Sequence, residues 1–214
     1  MDYALDMGTP SEILGIMSDS HGNNELLIRA IRTLKELGAE KLFHLGDLCD
    51  SLRPDRAAEA IKVISEHHIL AVRGNNECMI IHDRGLDSVP RIENDILSSL
   101  NSLPYSLNIG SYWFTHSAPY SHPAATRRPI SEFLPGLISD PTIPFSILFR
   151  GHSHRASIIE IQGQTMNRIK VERDVEIQLE KNRRYIITTG AVEKSLCLLF
   201  RPEDYSVRFV TLPA

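Results

Sequence analysis

The feature that most constrains this chain is a run of alternating patterns between residues 12 and 72. Ile13 to Met17 reads as a short apolar strand. Asn24 to Leu37 then carries Leu26, Leu27, Ala30, Ile31, Leu34 and Leu37 at helical spacing, and Gly38 ends it. Lys41 to Leu45 is a second strand, a helix follows from about Pro54 to His67, and Ile69 to Val72 is a third strand. Strand, helix, strand, helix, strand with short links requires right-handed crossovers and a parallel sheet. Glu93 to Leu103 predicts a further helix with Ile96, Leu97, Leu100 and Leu103 as its apolar stripe.

Beyond that helix the pattern changes to short strands separated by turns. These are Leu107–Ile109, Tyr112–Thr115, Ser146–Arg150, Ala156–Ile161, Arg184–Thr188, Leu196–Phe200 and Val207–Thr211. They predict a second, largely antiparallel sheet packed on the first. Residues 117–145 hold Pro119, Pro123, Pro129, Pro135, Pro141 and Pro144, half of the 12 prolines. A connection of that length commonly serves function, and this one starts beside His116 and ends at the strand before Gly151. It is read as an insertion bordering a site within a single domain spanning 1–214. Gly163 to Arg183 is charge-rich with alternating Val171, Val175, Ile177 and Leu179, and is read as a polar hairpin without chemistry.

A chain of 214 residues, 42% apolar and 23% charged, can bury its own core. The net charge of -4 argues against broad electrostatic binding to nucleic acid or anionic membranes, so any phosphate must be attracted locally. Cys49, Cys78 and Cys197 lack metal-type spacing and are read as reduced thiols in a cytoplasmic protein. The first ten residues, with Asp2 and Asp6, do not read as a signal peptide, and no apolar run approaches the roughly 20 residues of a spanning helix.

The polar clusters follow the strands: Asp19-x-His21, Gly46-Asp47, Gly74-Asn75-Asn76-Glu77, His116 and Gly151-His152-Ser153-His154. Loops at the carboxyl ends of strands converge on one crevice in open α/β sheets. A single His-x-His is more often solvated or packed in a core; five clusters in this order point to a metal centre. The ordered set resembles the calcineurin-like metallophosphoesterase superfamily, with its pattern D-x-H, GD, GN-[HND]-[DE], H and GH-x-H, from residue 13 to about 200. The resemblance implies a four-layer αββα sandwich of two mixed sheets flanked by helices. It also implies two divalent ions, one held by Asp19, His21, Asp47 and His154 and the other by Asp47, Asn75, His116 and His152, with Asp47 bridging. A hydroxide bridging the ions would attack phosphorus in line. Oxygen and imidazole ligands suit manganese first, with iron, nickel, cobalt or zinc as alternatives.

The sequence departs from many superfamily phosphomonoesterases at Asn76, where a histidine helps to protonate the leaving group. Asn cannot supply that proton, so the expected activity is stronger on diesters than on monoesters. The resemblance is therefore closer to the small prokaryotic phosphodiesterase branch than to those monoesterases. Asp47 and Asn76 are the expected catalytic residues, and Asn76, Arg127 and Arg128 the expected substrate contacts. Arg73 and Arg150, at strand ends, are candidates for a distal phosphate or for surface ion pairs. Asn23 is expected to cap the first helix, Glu77 to anchor its loop, and His44 to orient a ligand. Thr188 to Val192 reads as a turn beside the site without chemistry. The leading function is a metal-dependent phosphoesterase acting on a small phosphodiester or nucleotide-type substrate. The alternative is a catalytically inactive scaffold of the same fold, and the acidic balance disfavours a nuclease.

Overall fold

The computed structural model describes residues 4–5, 11–82, 92–140 and 142–213; Asp2, Asp6 and Pro141, used above, lie outside them. Two mixed sheets face each other. One orders β10 (Glu176–Gln178), β13 (Ser206–Thr211), β12 (Leu196–Arg201), β2 (Leu14–Met17), β3 (Lys41–His44) and β4 (Leu70–Ala71). The other orders β1 (Ala4–Leu5), β5 (Ser106–Ile109), β6 (Tyr112–Thr115), β7 (Ile147–Arg150), β11 (Arg184–Thr188), β8 (Ser157–Gln162) and β9 (Thr165–Ile169).

The helices cover the outer faces, giving the expected four layers. α1 (Asn24–Glu36) and α2 (Ala57–Glu66) bury Leu27, Ile31, Leu34, Ala60 and Ile64 against the first sheet. α3 (Asn75–His82) and α4 (Asn94–Ser102) form a smaller cluster with α2 through Ile80, Leu97 and Leu100. α5 (Ala124–Arg127) and α6 (Leu134–Ser139) lie in the proline-rich segment, where Leu137 packs on Leu148 and Ile186 of the second sheet. Among the described residues, no helix is long and apolar enough to cross a membrane.

β7 shows why these short strands read as unbroken apolar runs. Ile147 and Phe149 point into the core between the sheets while Leu148 points to the outer helical layer, so all four residues are buried. In the inter-sheet core, Phe43 and Phe114 stack with ring centroids 4.0 Å apart, and Phe149 lies 5.3 Å from both Phe114 and Phe200. Removing one such ring costs about 3–5 kcal/mol.

Three expectations need correction. β12 and β13 join the first sheet, where β12 pairs antiparallel with β2 at Leu198↔Ile16. Leu198 faces the inter-sheet core and Leu199 the helices, so this strand requires a place with both faces covered, which local pattern cannot specify. The second sheet is accordingly evenly mixed, with parallel pairs β1–β5, β6–β7 and β7–β11 beside antiparallel β5–β6, β11–β8 and β8–β9. The supposed hairpin at 163–183 instead crosses between sheets: β9 pairs with β8, and β10 with β13 of the other sheet.

Candidate metal centre

The candidate ligands stand on loops that leave the parallel strands of both sheets at the same end, and backbone hydrogen bonds stitch these loops together. The Asp19, His21 and Gly22 amides donate to the Gly46, Asp47 and Leu48 carbonyls at 3.0, 3.0 and 2.8 Å. Gly151 donates to His116 at 3.0 Å, joining the two polar clusters of the second sheet. The geometry is strained: Asp19, His21, Asp47, His152 and His154 have φ of 55°, 47°, 54°, 68° and 53°. Left-handed backbone costs non-glycine residues about 1–2 kcal/mol each, and such strain concentrates at functional sites. Gly74 is required for close approach, because a Cβ there would collide with the Asp47 backbone and carboxylate.

His21, His154 and Asp19 form an outer group. His154 Nδ1 donates to Glu193 Oε1 at 2.8 Å, which turns Nε2 toward Asp19 Oδ1 at 3.3 Å and His21 Nε2 at 3.2 Å. Two imidazole nitrogens and a carboxylate oxygen therefore converge. Burial alone would raise the Asp19 carboxyl, but with no ion present a protonated His154 donates to it from Nε2, which outweighs burial and holds it at about 2; an ion would take the place of that proton. The same bond to Asp19, against burial, raises His154, with the Asp19 and Glu193 charges adding to the effect.

His116, His152 and Asn75 form an inner group. His116 is fully buried and its Nδ1 donates to the Leu45 carbonyl at 2.7 Å. Its Nε2 lone pair then faces Asn75 Oδ1 at 3.0 Å and His152 Nδ1 at 3.2 Å, and His152 Nδ1 is 2.9 Å from the same Asn75 oxygen. Burial above all, with the Arg150 charge adding to it, pushes His152 down to about 4 and keeps it neutral. Between the groups lies Asp47, its Oδ2 3.8 Å from His21 Nε2 and 3.5 Å from His116 Nε2.

Imidazole, carboxylate and amide atoms that meet at about hydrogen-bond distance share either a proton or a cation, so the donor set fits divalent ions in chemistry as well as in place. Among the described residues, two groups have possible ligand atoms all within 4.8 Å of one another: Asp19 with His21 and His154, and Asp19 with Asp47 and His116, which share Asp19. Residues 13–169 match the family model of the calcineurin-like phosphoesterase superfamily domain.

The chain belongs to this superfamily.

An uncharacterized protein of Methanocaldococcus jannaschii is 26% identical over 92% of this chain and 86% of its own length. The crystal structure of a metallophosphoesterase from Sphaerobacter thermophilus is similar in fold, with a TM-score of 0.69 at 21% identity over 95% of this chain and 89% of that one. A structure described as a novel archaeal phosphodiesterase has a TM-score of 0.53 at 18% identity, covering 94% of this chain and 99% of the other. This superfamily is metal-dependent, which accords with the converging donors.

The other expected site residues separate into three kinds. Asn76 lies beneath Asp47: only 8% exposed, it donates from its backbone to Asp47 Oδ1 at 2.9 Å and from its amide to Oδ2 at 2.8 Å, and accepts from the Ser51 amide at 2.9 Å. Both of its donated bonds brace Asp47, and its carbonyl oxygen ties the Ser51 backbone to the same loop. Asn23 caps α1 by accepting from Leu26 at 3.2 Å, as expected. His44 is buried against Ser20 Oγ at 3.1 Å, and burial pushes it down to about 3.

Arg127 and Arg128 are exposed, and Arg128 pairs with Glu132 at 3.4 Å. Arg73 and Arg150 are buried and bonded within the chain, so neither forms a surface ion pair. Arg73 donates to the Leu103 and Asn101 carbonyls and covers the Tyr105 ring at 4.8 Å. Arg150 donates to the Ser117 carbonyl at 3.0 Å and to Thr188 Oγ1 at 3.1 Å; burial lowers it to about 10, so it stays charged.

Two glutamates hold the ligand loops more firmly than the sequence indicated. Buried Glu77 accepts from the backbone amides of Gly74, Asp47, Leu48 and Cys49 at 2.8, 2.9, 2.9 and 3.3 Å, fixing the loop that carries Asp47. Burial raises its pKa, and the Asp47 charge adds to that. Glu193 orients His154, and its amide donates to the Asp19 carbonyl at 3.2 Å. Nothing in the local sequence marks Glu193; only its position one residue past the Thr188–Val192 turn places it near the site.

Proposed function

We propose that this chain is a dinuclear metal-dependent phosphodiesterase. The observation that carries the reading is the position of Asp47 Oδ2 between two sets of converging acceptors, 3.8 Å from one imidazole and 3.5 Å from the other. Asp19, His21, Asp47 and His154 would hold the outer ion, and Asp47, Asn75, His116 and His152 the inner one. When bound, two divalent ions supply Lewis-acid activation of water at neutral pH and offset the charge of a phosphate. Manganese is the first metal to test.

The chain's own residues prepare that chemistry. Glu193 and the Leu45 carbonyl fix the tautomers of His154 and His116, so each offers its Nε2 lone pair inward. Glu77 and Asn76 hold Asp47 in place from below. Two aspartates leave a site of two divalent cations net positive, and neutral Asn75 adds a ligand oxygen without cancelling more charge. Because Asn76 is committed to Asp47 and has no proton to give, a diester with a stable leaving group suits the site better than a monoester. His21 and His154, at 17% and 22% exposure, form the open side through which a substrate arrives. The 117–145 segment borders the inner side, since Ser117 holds Arg150 and Thr126 Oγ1 lies 3.8 Å from Cys78 on α3.

The test is hydrolysis of bis-p-nitrophenyl phosphate beside p-nitrophenyl phosphate, with manganese added and with metal stripped, in wild type and Asp47→Asn. Metal-dependent diester cleavage that is lost in the variant supports the reading. A strong monoester preference would overturn the diesterase assignment while leaving the metal centre standing.

A further inference from the structure

Beside His21 the surface holds a polar pocket of about 360 Å³ whose walls include Asn24, Glu25, Arg53, Arg56 and Glu59. We propose that this pocket is the subsite for one ester arm of the substrate, and that the arm is neutral and carries vicinal hydroxyls, as a ribose or a small free polyol does. The inference rests on the phosphodiesterase reading and deepens it.

Position comes first. His21 is both a candidate ligand and part of the pocket wall, so an ester arm leaving a phosphate at the centre on that side runs directly into the pocket. The wall is built against the ligand loop. Gly22 has φ of +74°, and a Cβ there would come within 2.8 Å of Arg56 Cβ, so the loop presses on the arginine stem. The loop therefore lies close against the start of the Arg56 side chain, which is more than half exposed as a whole.

Charge and hydrogen-bonding capacity identify the occupant. The two guanidiniums are matched within the wall by the carboxylates of Glu25 and Glu59, and Arg53 is also paired with Asp50 at 3.3 Å. A second phosphate gains little from such a balanced lining. Hydroxyl groups, which donate and accept at once, can use both signs of partner. Asn24 is only 4% exposed; its amide donates to Glu59 Oε2 at 2.8 Å, while its buried carbonyl oxygen has no hydrogen-bond partner. A buried acceptor without a donor is uncommon in folded proteins, so this part of the wall has hydrogen-bonding capacity to spare. The Arg56–Glu59 contact is 3.7 Å long and solvent-exposed, so it contributes little and can re-pair with a ligand.

The experiment compares esters sharing one leaving group. Manganese-loaded protein is assayed on ethyl p-nitrophenyl phosphate, glyceryl p-nitrophenyl phosphate, and the p-nitrophenyl 5′-phosphates of uridine and 2′-deoxyuridine. The proposal expects kcat/KM at least about tenfold higher for a diol-bearing ester than for the ethyl ester, the value of one or two well-made hydrogen bonds. Glyceryl above uridine identifies a free polyol; uridine above both glyceryl and 2′-deoxyuridine identifies a ribose. Arg56→Ala and, separately, Glu59→Gln should each bring the diol-to-ethyl ratio down toward one. Cleavage of the ethyl and diol esters at equal kcat/KM overturns the subsite, as does an equal loss on every ester in both variants. No cleavage of any ester overturns the phosphodiesterase reading itself, and the subsite with it.

Discussion

The two halves of the centre hold their imidazoles by different means. In the inner half, His116 is fully buried and oriented by a main-chain carbonyl, that of Leu45, and its neighbours are a neutral amide and an imidazole held neutral by burial. In the outer half, His154 is 22% exposed and oriented by the side chain of Glu193, itself one-third exposed. The inner half is therefore built into the fold, and its geometry changes only if strands move. The outer half depends on a partner that can rotate away, and it faces the polar pocket. The contrast predicts a tight inner site and a weaker, more adjustable outer one.

Asp47→Asn should have the largest effect because it removes the group common to both halves. Diester hydrolysis should fall by at least about 100-fold, and bound metal, measured by elemental analysis after dialysis, should drop for both positions. His116→Gln comes next: the inner ion should be lost while the outer is retained, leaving one equivalent where the wild type binds two. If both equivalents vanish together, the halves are not separable and the comparison fails.

Glu193→Gln sharpens it further. Losing a partner that orients a metal-binding histidine commonly costs about 10- to 100-fold in affinity, and here that cost should fall on one site only. A calorimetric manganese titration should show the weaker step shifted and the tighter one in place; equal weakening of both would contradict the assignment.

The smallest effect concerns acid stability without metal. His44 and His152 are held at about 3 and about 4 in the fold, below the ordinary value of 6.5. Between pH 6.5 and those values these two groups bind more protons in the unfolded chain than in the folded one, so their contribution to stability is full above pH 6.5 and falls as the pH drops toward 4 and then 3, while His154, raised by its bond to Asp19, works in the opposite sense. Asp19, lowered from 3.8 to about 2, acts in the same direction as His44 and His152 at the acid end of that range. Thermal melts of metal-free protein should show Tm declining from pH 6.5 to 4. A flat profile would mean that these imidazoles are not buried neutral.

The parallel half of the first sheet was legible because periodicity alternates cleanly from Ile13 to Val72, and the ligand clusters because each polar group follows an apolar run. What could not be read was information carried by partners remote in sequence. β12 looks like any short strand, and only Leu198 facing Ile16 places it in the first sheet. Glu77 was visible beside the Gly-Asn-Asn loop, but its bonds reach residues 47 to 49. Arg73 and Arg150 stand at strand ends, where a distal phosphate or a surface ion pair is expected, but their carbonyl partners are remote in sequence. Asn76 was singled out for its chemistry, and its place under Asp47 shows a bracing duty that no spacing encodes.

The central claim, two ions flanking Asp47, is tested most directly by anomalous diffraction from crystals of the manganese-loaded protein. Two peaks about 3.5–4 Å apart are expected, one on each side of the Asp47 carboxylate. A single peak, or none at saturating manganese, would contradict it.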